Sequence, residues 1–378
     1  MPSNHERALD ALFRRGRLRT LETAHGIDFT SNDYLGLAQS RELAEAVEQA
    51  IGRGVPVGAG GSRLLRGNHP EHEMLEQEAA QFFGGETALF FGGGFIANTA
   101  LLSTLPARGD LIVYDELVHA SAHEGMRLSK AEVTGGARHN DAQAFDDAIG
   151  AWRARGGAGQ PWIVVESLYS MDGDRAPIDD LFEIATRRDA TLVVDEAHAT
   201  GVFGPDGRGL AAHLEGNDNV ITLHTCGKAL GAMGALVIAP RTIHDFLVNR
   251  GRAFIYATAP SPLIASAVRA SLDICRRQPE RRERLHSLIA FASRELKAKS
   301  RFVPSGSQIQ PIIIGSDGSA VALANVLKSR GYGIRAIRPP TVPEGTSRLR
   351  LTITLNVDEA AITRLIDDIA AAEAENAA

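Results

Sequence analysis

Between residues 87 and 239 the chain repeats one pattern: an apolar run of strand length, then a stretch whose apolar residues recur at helical spacing. The runs are 87–91, 111–114, 162–166, 191–195, 220–225 and 235–239, and segments such as 141–152 and 178–188 carry the helical rhythm between them. Such alternation predicts an α/β domain built on a mainly parallel sheet, covered by crossover helices on both faces. A different rhythm begins after Pro260-Ser261-Pro262: a helical stretch to about 299, a strand at 309–315, a helix at 320–330, strands near Ile334 and Arg348, and a final helix from Asp358. This order predicts a smaller α+β domain. The expected division is an N-terminal arm (1–45) with a basic helix over 9–19, a large domain (46–265) and a small domain (266–378).

Composition narrows the function. A net charge of −6 lacks the excess of Lys and Arg that nucleic acid or an anionic membrane surface would need, so small-molecule chemistry is the default expectation. Two cysteines, Cys226 and Cys275, are too few for a disulfide framework, and no apolar stretch is long enough to span a bilayer. The polar start Met1-Pro2-Ser3-Asn4-His5-Glu6-Arg7 lacks the apolar core of a signal peptide, so a cytoplasmic location is expected.

Open α/β sheets place their ligands beyond the carboxyl ends of the strands, which makes the residues closing each apolar run the ones to inspect. Asp195, His198, Ser170, Thr225, Lys228 and the loop before Phe95 fall there. A carboxylate at the end of a buried strand is suited to keep a pyridinium nitrogen protonated, although a strand-end Asp alone more often caps a turn. Lys228, in Cys226-Gly227-Lys228-Ala229-Leu230-Gly231, sits among small residues that let its amine project into a crowded site as a Schiff-base former. The pair suits pyridoxal phosphate (PLP) chemistry better than either residue does alone. Gly92-Gly93-Gly94-Phe95 joins a strand to a helix start, whose N–H groups can receive a phosphate, and Ser62 and Thr225 can add hydroxyls.

Two other readings fail on context. Asp195-Glu196-Ala197-His198 spells the acidic box of a helicase subfamily, yet no phosphate loop precedes it and Gly227-Lys228 is followed by Ala229. Asp195, His198, His119 and His123 would make a metal site only without the H-E-x-x-H or paired-Cys spacing that metals favour, and Lys228 would then have no role; no metal is expected.

At these residues the chain resembles the α-oxoamine synthases, a branch of the fold type I PLP enzymes. The resemblance runs from Ser31 to about Leu355. It is carried by Ser31-Asn32-Asp33-Tyr34-Leu35-Gly36, Gly60-Gly61-Ser62, Gly94-Phe95-Ile96-Ala97-Asn98, His119-Ala120-Ser121, Ser170-Met171-Asp172-Gly173-Asp174, Asp195-Glu196-Ala197-His198-Ala199-Thr200-Gly201 and Arg338-Pro339-Pro340-Thr341. It implies the aspartate aminotransferase-like PLP-dependent transferase fold, with a mainly parallel seven-stranded sheet. It further implies that Lys228 anchors the cofactor and acts as base, Asp195 pairs with the ring nitrogen, His119 stacks on the ring and His198 bonds the ring hydroxyl. Ser170, Thr225 and the Gly94-Phe95 turn contact the cofactor, the turn also positioning the acyl substrate. Thr258, within 255–260, reaches a neighbouring subunit's cofactor in a homodimer whose active site lies at the interface. Arg338 receives the amino-acid carboxylate, with Asn32 and Thr341 also at the substrate. Arg19 is the best match for an arm arginine near the acyl group, with Arg14, Arg15 and Arg17 as competitors.

The implied reaction is a decarboxylative condensation of L-alanine with a pimeloyl thioester, carried on CoA or on a carrier protein, in biotin biosynthesis. The run around Arg338 favours this branch over sister enzymes that use glycine or serine with other acyl-CoAs. A catalytically silent regulatory subunit of the same fold typically lacks the lysine that stands here at 228. Arg63 and Arg66 occupy positions that are small and polar in better-known relatives, leaving open a contact with the acyl carrier or a solvated role.

Overall fold

The computed structural model describes residues 3–377 and resolves into two compact units. The larger comprises Asp33–Ser170 and Asp174–Glu283. Its seven-stranded sheet has the order Thr87–Phe91, Ala235–Ala239, Val220–Thr225, Thr191–Asp195, Pro161–Glu166, Leu111–Tyr114, Glu132–Val133. Ala235–Ala239 runs antiparallel to both its neighbours, and the remaining pairings are parallel. Six of the seven strands therefore end on the same edge, and the residues closing them converge there.

Successive residues of each central strand feed opposite faces. Leu192 and Val194 pack with Phe145, Ile149 and Leu181, whereas Val193 packs with Leu101, Ala122 and Ile221. Burial on both faces explains why these strands read as unbroken apolar runs, and why their ends lie within a residue of the sequence expectation.

The smaller unit gathers the N-terminal segment through Asn32, the short stretch Met171–Gly173 and the chain from Arg284 onward. Its antiparallel sheet has the order Ala336–Ile337, Ser347–Thr352, Ile309–Gly315, and Ile27–Asp28 pairs in parallel with Tyr332–Gly333. Residues 27–29 are thus tied in by backbone hydrogen bonds, including Ile27 N–H to the Gly331 carbonyl at 2.8 Å and Thr352 N–H to the Phe29 carbonyl at 2.9 Å.

Three expectations shift. The first helix is Asn4–Arg14 rather than 9–19, because a reciprocal Ser3–Glu6 capping box starts it early and Gly16, at φ +63°, stops it. The long helix expected after Pro260 is two, Pro262–Arg277 and Pro279–Lys299, parted where Pro279 lacks the N–H that would continue the first. The compact units part at Glu283, a helix later than the expected 265, and the arm divides after Asn32. Pro262–Arg277 stays with the large unit because its buried face packs on Arg41–Gly52 and Pro70–Phe83. Arg269 there is paired with Glu71 at 2.7 Å and Glu78, and Ser271 Oγ donates to the Leu230 carbonyl at 2.6 Å.

Candidate active site at the carboxyl edge of the large sheet

Asp195 closes its strand with both carboxylate oxygens engaged: Oδ1 accepts from the Ala197 N–H at 2.9 Å and Oδ2 from Asn98 Nδ2 at 2.7 Å. Asn98 is 3% exposed, on the buried side of helix Gly94–Thr104, and its amide also donates to Ser121 Oγ at 3.0 Å. Ser121 in turn meets His119: its backbone N–H reaches Nδ1 at 3.2 Å and its hydroxyl lies 2.8 Å from the same nitrogen. A nitrogen receiving an N–H carries no proton, so the hydroxyl donates to it and the His119 proton resides on Nε2. Burial holds the His119 imidazole below its ordinary pKa, against the opposing pull of Asp195 and with the help of Lys228, so the ring is neutral. One amide, Asn98, therefore fixes the carboxylate and the imidazole at once.

On the adjacent strand, Thr225 ends the run and Lys228 follows in a tight turn closed by Gly231 N–H to the Lys228 carbonyl at 2.9 Å. Its Nζ lies 3.5 Å from Thr225 Oγ1. Thr225 also packs on the start of helix Gly94–Thr104, where a Cβ on Gly94 would stand 2.6 Å from Thr225 Cγ2; only glycine allows this approach. Gly93, the residue before this helix, offers no side-chain cap, leaving first-turn N–H groups for another acceptor.

Two further carboxyl-edge groups complete the cluster. His198 is buried, with Nδ1 2.6 Å from the hydroxyl of the fully buried Tyr34. Glu166, in register beside Asp195, accepts the Ser170 N–H on Oε2 at 3.1 Å, while its buried Oε1 has no hydrogen-bond partner among the described residues. Burial, reinforced by the Asp195 charge, pushes the Glu166 carboxyl well above the ordinary carboxylate range.

The structure thus assembles Asp195, His119, Thr225, Lys228, Gly94 and Ser170 with His198 on one edge. Phe95 and Thr258 are exposed and share none of these contacts among the described residues. Arg19, Asn32, Arg338 and Thr341 belong to the smaller unit. In that unit Arg17 is committed to Asp317 at 2.6 Å and Glu344 at 2.8 Å, whereas Arg19 makes a 3.3 Å bond to Thr341 Oγ1. Arg63 and Arg66 separate cleanly: Arg63 grips Glu76 with two bonds of 2.9 and 2.8 Å and Asn68 with a third, so its guanidinium is occupied, while Arg66 is exposed. Sequence reasoning missed Asn98, Glu166 and Tyr34 as site residues. For Asn98 and Glu166 the legible signal was a polar side chain set within an apolar helix or strand, which burial obliges to find a partner; Tyr34 stands in a turn and carried no such signal.

The residues fit a PLP group. A fixed carboxylate, a neutral imidazole, a lysine beside a strand-end hydroxyl and an uncapped helix start are the donor set that a pyridine nitrogen, a ring face, an aldehyde and a phosphate require. Among the described residues, no cluster of three His, Cys, Asp or Glu side chains is placed to hold a metal.

The aminotransferase class I and II family matches residues 24–369. An 8-amino-7-oxononanoate synthase of Chromobacterium violaceum is 42% identical over 370 residues, covering 95% of each chain. One of Dechloromonas aromatica is 39% identical over 357 residues, covering 93% of this chain and 91% of its own. The chain belongs to the 8-amino-7-oxononanoate synthase family. Among solved structures, the family's Francisella tularensis enzyme superposes with a TM-score of 0.79 at 28% identity, covering 93% of this chain and 99% of that one. A serine palmitoyltransferase from S. paucimobilis with a bound PLP–myriocin aldimine gives 0.87 at 25% identity, covering 98% and 96%. The family's aminotransferase-type fold is the α/β architecture described above, its seven-stranded sheet mixed through one antiparallel strand.

Proposed function

We propose that this PLP-dependent acyltransferase condenses L-alanine with a pimeloyl thioester, releasing carbon dioxide and the thiol carrier and forming 8-amino-7-oxononanoate for biotin biosynthesis. The observation that carries the reading is Lys228, beside Thr225 and one strand from Asp195, in a chain whose full-length relatives bear that enzyme name.

PLP, when bound, supplies an electron sink for the bonds broken at the amino-acid α-carbon. The chain's own residues do the rest. Lys228 Nζ would hold the cofactor and, as a free amine, would take the alanine α-proton. Asp195 would pair with the ring nitrogen, its carboxylate direction set by Asn98 and the Ala197 N–H. His119 would offer a neutral ring face, and His198, held by Tyr34, would bond the ring hydroxyl. The helix start at Gly94 and the Thr225 hydroxyl suit the phosphate. Arg338, a planar two-pronged donor, binds the alanine carboxylate, with Asn32 and Thr341 at the same substrate. Arg19 is the arm residue for the acyl group, a reading supported by Arg17 being committed elsewhere.

The working unit is a homodimer whose site includes Thr258 of the neighbouring subunit, supported by the exposed apolar residues Leu64, Leu65, Phe95 and Tyr256 of the large unit. The test is to supply purified protein with PLP and pimeloyl-CoA and compare L-alanine, glycine and L-serine by carbon dioxide release. Alanine should be preferred, and Lys228→Ala should abolish turnover along with the protein-bound cofactor absorbance. Faster release with glycine or serine would refute the substrate assignment. Full activity in a sedimenting monomer would refute the shared site.

A further inference from the structure

His139 lies outside the cluster above, yet both its ring nitrogens face carboxylates. Nδ1 is 2.9 Å from Asp115 Oδ1 and Nε2 is 2.7 Å from Asp174 Oδ2. Neither carboxylate can supply a proton while ionised, so a ring that hydrogen-bonds both must donate from both nitrogens and is an imidazolium. Asn140 repeats the bridge, with its N–H on Asp115 Oδ2 at 2.9 Å and Nδ2 on Asp174 Oδ2 at 2.7 Å, at the cost of a left-handed backbone (φ +56°). Tyr169 closes the site, its ring edge-on to the imidazole with centroids 4.4 Å apart, and Glu116 accepts the His139 backbone N–H at 3.0 Å.

Each bridged carboxylate also shapes a loop that leads to the candidate active site. Asp115 follows the strand Leu111–Tyr114, accepts the Leu117 N–H on Oδ1 at 2.9 Å and receives the Val118 N–H on its carbonyl at 3.0 Å; His119 comes next. The Asp174 carbonyl accepts the Tyr169 N–H at 2.9 Å, pinching together the two ends of the loop that presents Ser170. Burial alone would lower the affinity of His139 for its second proton, but hydrogen bonds and charge from Asp115 and Asp174 outweigh it and push the pKa up to about 10.

We propose that His139 is a positioning residue, a cationic strut that ties the His119-bearing loop to the Ser170-bearing loop and so holds both against the cofactor. The inference rests on the functional reading above, in which His119 and Ser170 contact PLP.

Two measurements test it. In protein without cofactor, the His139 ring resonances, assigned by their loss in His139→Gln, should show both nitrogens protonated at pH 8; a neutral ring at that pH overturns the proposal whatever the protein binds. In PLP titrations, His139→Gln should weaken binding on the order of tenfold and reduce the visible circular dichroism of the bound cofactor. His139→Lys, which restores the charge between the carboxylates, should recover part of both. A variant that melts earlier yet binds PLP with unchanged affinity and dichroism would show a merely structural role and overturn the proposal. Wild-type protein that fails to bind PLP would instead sink the functional reading, while the ring-protonation result would stand separately.

Discussion

Replacing Asn98 with Ala tests how the carboxyl edge is held together. The change removes two hydrogen bonds from a side chain that is 3% exposed, one of 2.7 Å to the Asp195 carboxylate and one of 3.0 Å to Ser121 Oγ. A bond to a charged group contributes about 1.5–3 kcal/mol and a neutral one about 1 kcal/mol. Ala is the better helix former by about 0.5 kcal/mol, so the expected net loss is about 2–3.5 kcal/mol. Trp152 and Trp162 are both buried in the large unit, so their fluorescence during urea unfolding of the cofactor-free protein reports on the unit that contains the change. Loss of the amide also frees Ser121 and leaves Asp195 with the Ala197 N–H, so PLP affinity should fall in step with stability. A loss below about 1 kcal/mol with unchanged PLP affinity would refute the argument that Asn98 couples Asp195 to His119.

Other outcomes follow from single residues. Glu166 is raised by burial, so folding takes up a proton at pH values between its unfolded and folded pKa, and stability should fall as pH rises from about 4.5 toward the folded pKa. Glu166→Gln should therefore gain stability over wild type at pH 8 and converge with it near pH 4; parallel curves would exclude a neutral Glu166. Arg63→Ala should cost about 3 kcal/mol by stranding the nearly buried Glu76, whereas Arg66→Ala should change stability by less than about 0.5 kcal/mol; equal effects in urea unfolding would contradict the assignment. Gly173→Ala combines a φ of +70° with a Cβ 2.4 Å from the Ile309 carbonyl oxygen, so the small unit should become protease-sensitive first; unchanged cleavage would show that the loop relaxes freely.

The seven-stranded sheet was largely legible because a strand buried on both faces must be apolar at nearly every position, and that demand is local. Asp195 and Lys228 were legible for a related reason: each follows such a run within three residues, so finding the strand locates the group. Helix limits were less legible. The first helix depended on Ser3, Glu6 and Gly16 rather than on its apolar rhythm, and the stretch after Pro260 broke on the single Pro279.

Tertiary pairing decided what no window along the chain could contain. Asn98 meets Asp195 across 97 residues, and His139 is a cation only because Asp115 and Asp174 arrive from different loops. Arg63 and Arg66 look alike in sequence, yet one is spent on Glu76 and the other is exposed. By itself the sequence determined the α/β architecture and the chemical groups at its strand ends, since apolar runs and their terminating residues are local properties. Only the tertiary structure decided which polar groups are neutral, which are charged and which hold others in place, because desolvation and hydrogen-bond geometry arise when distant segments are brought within about 3 Å of one another.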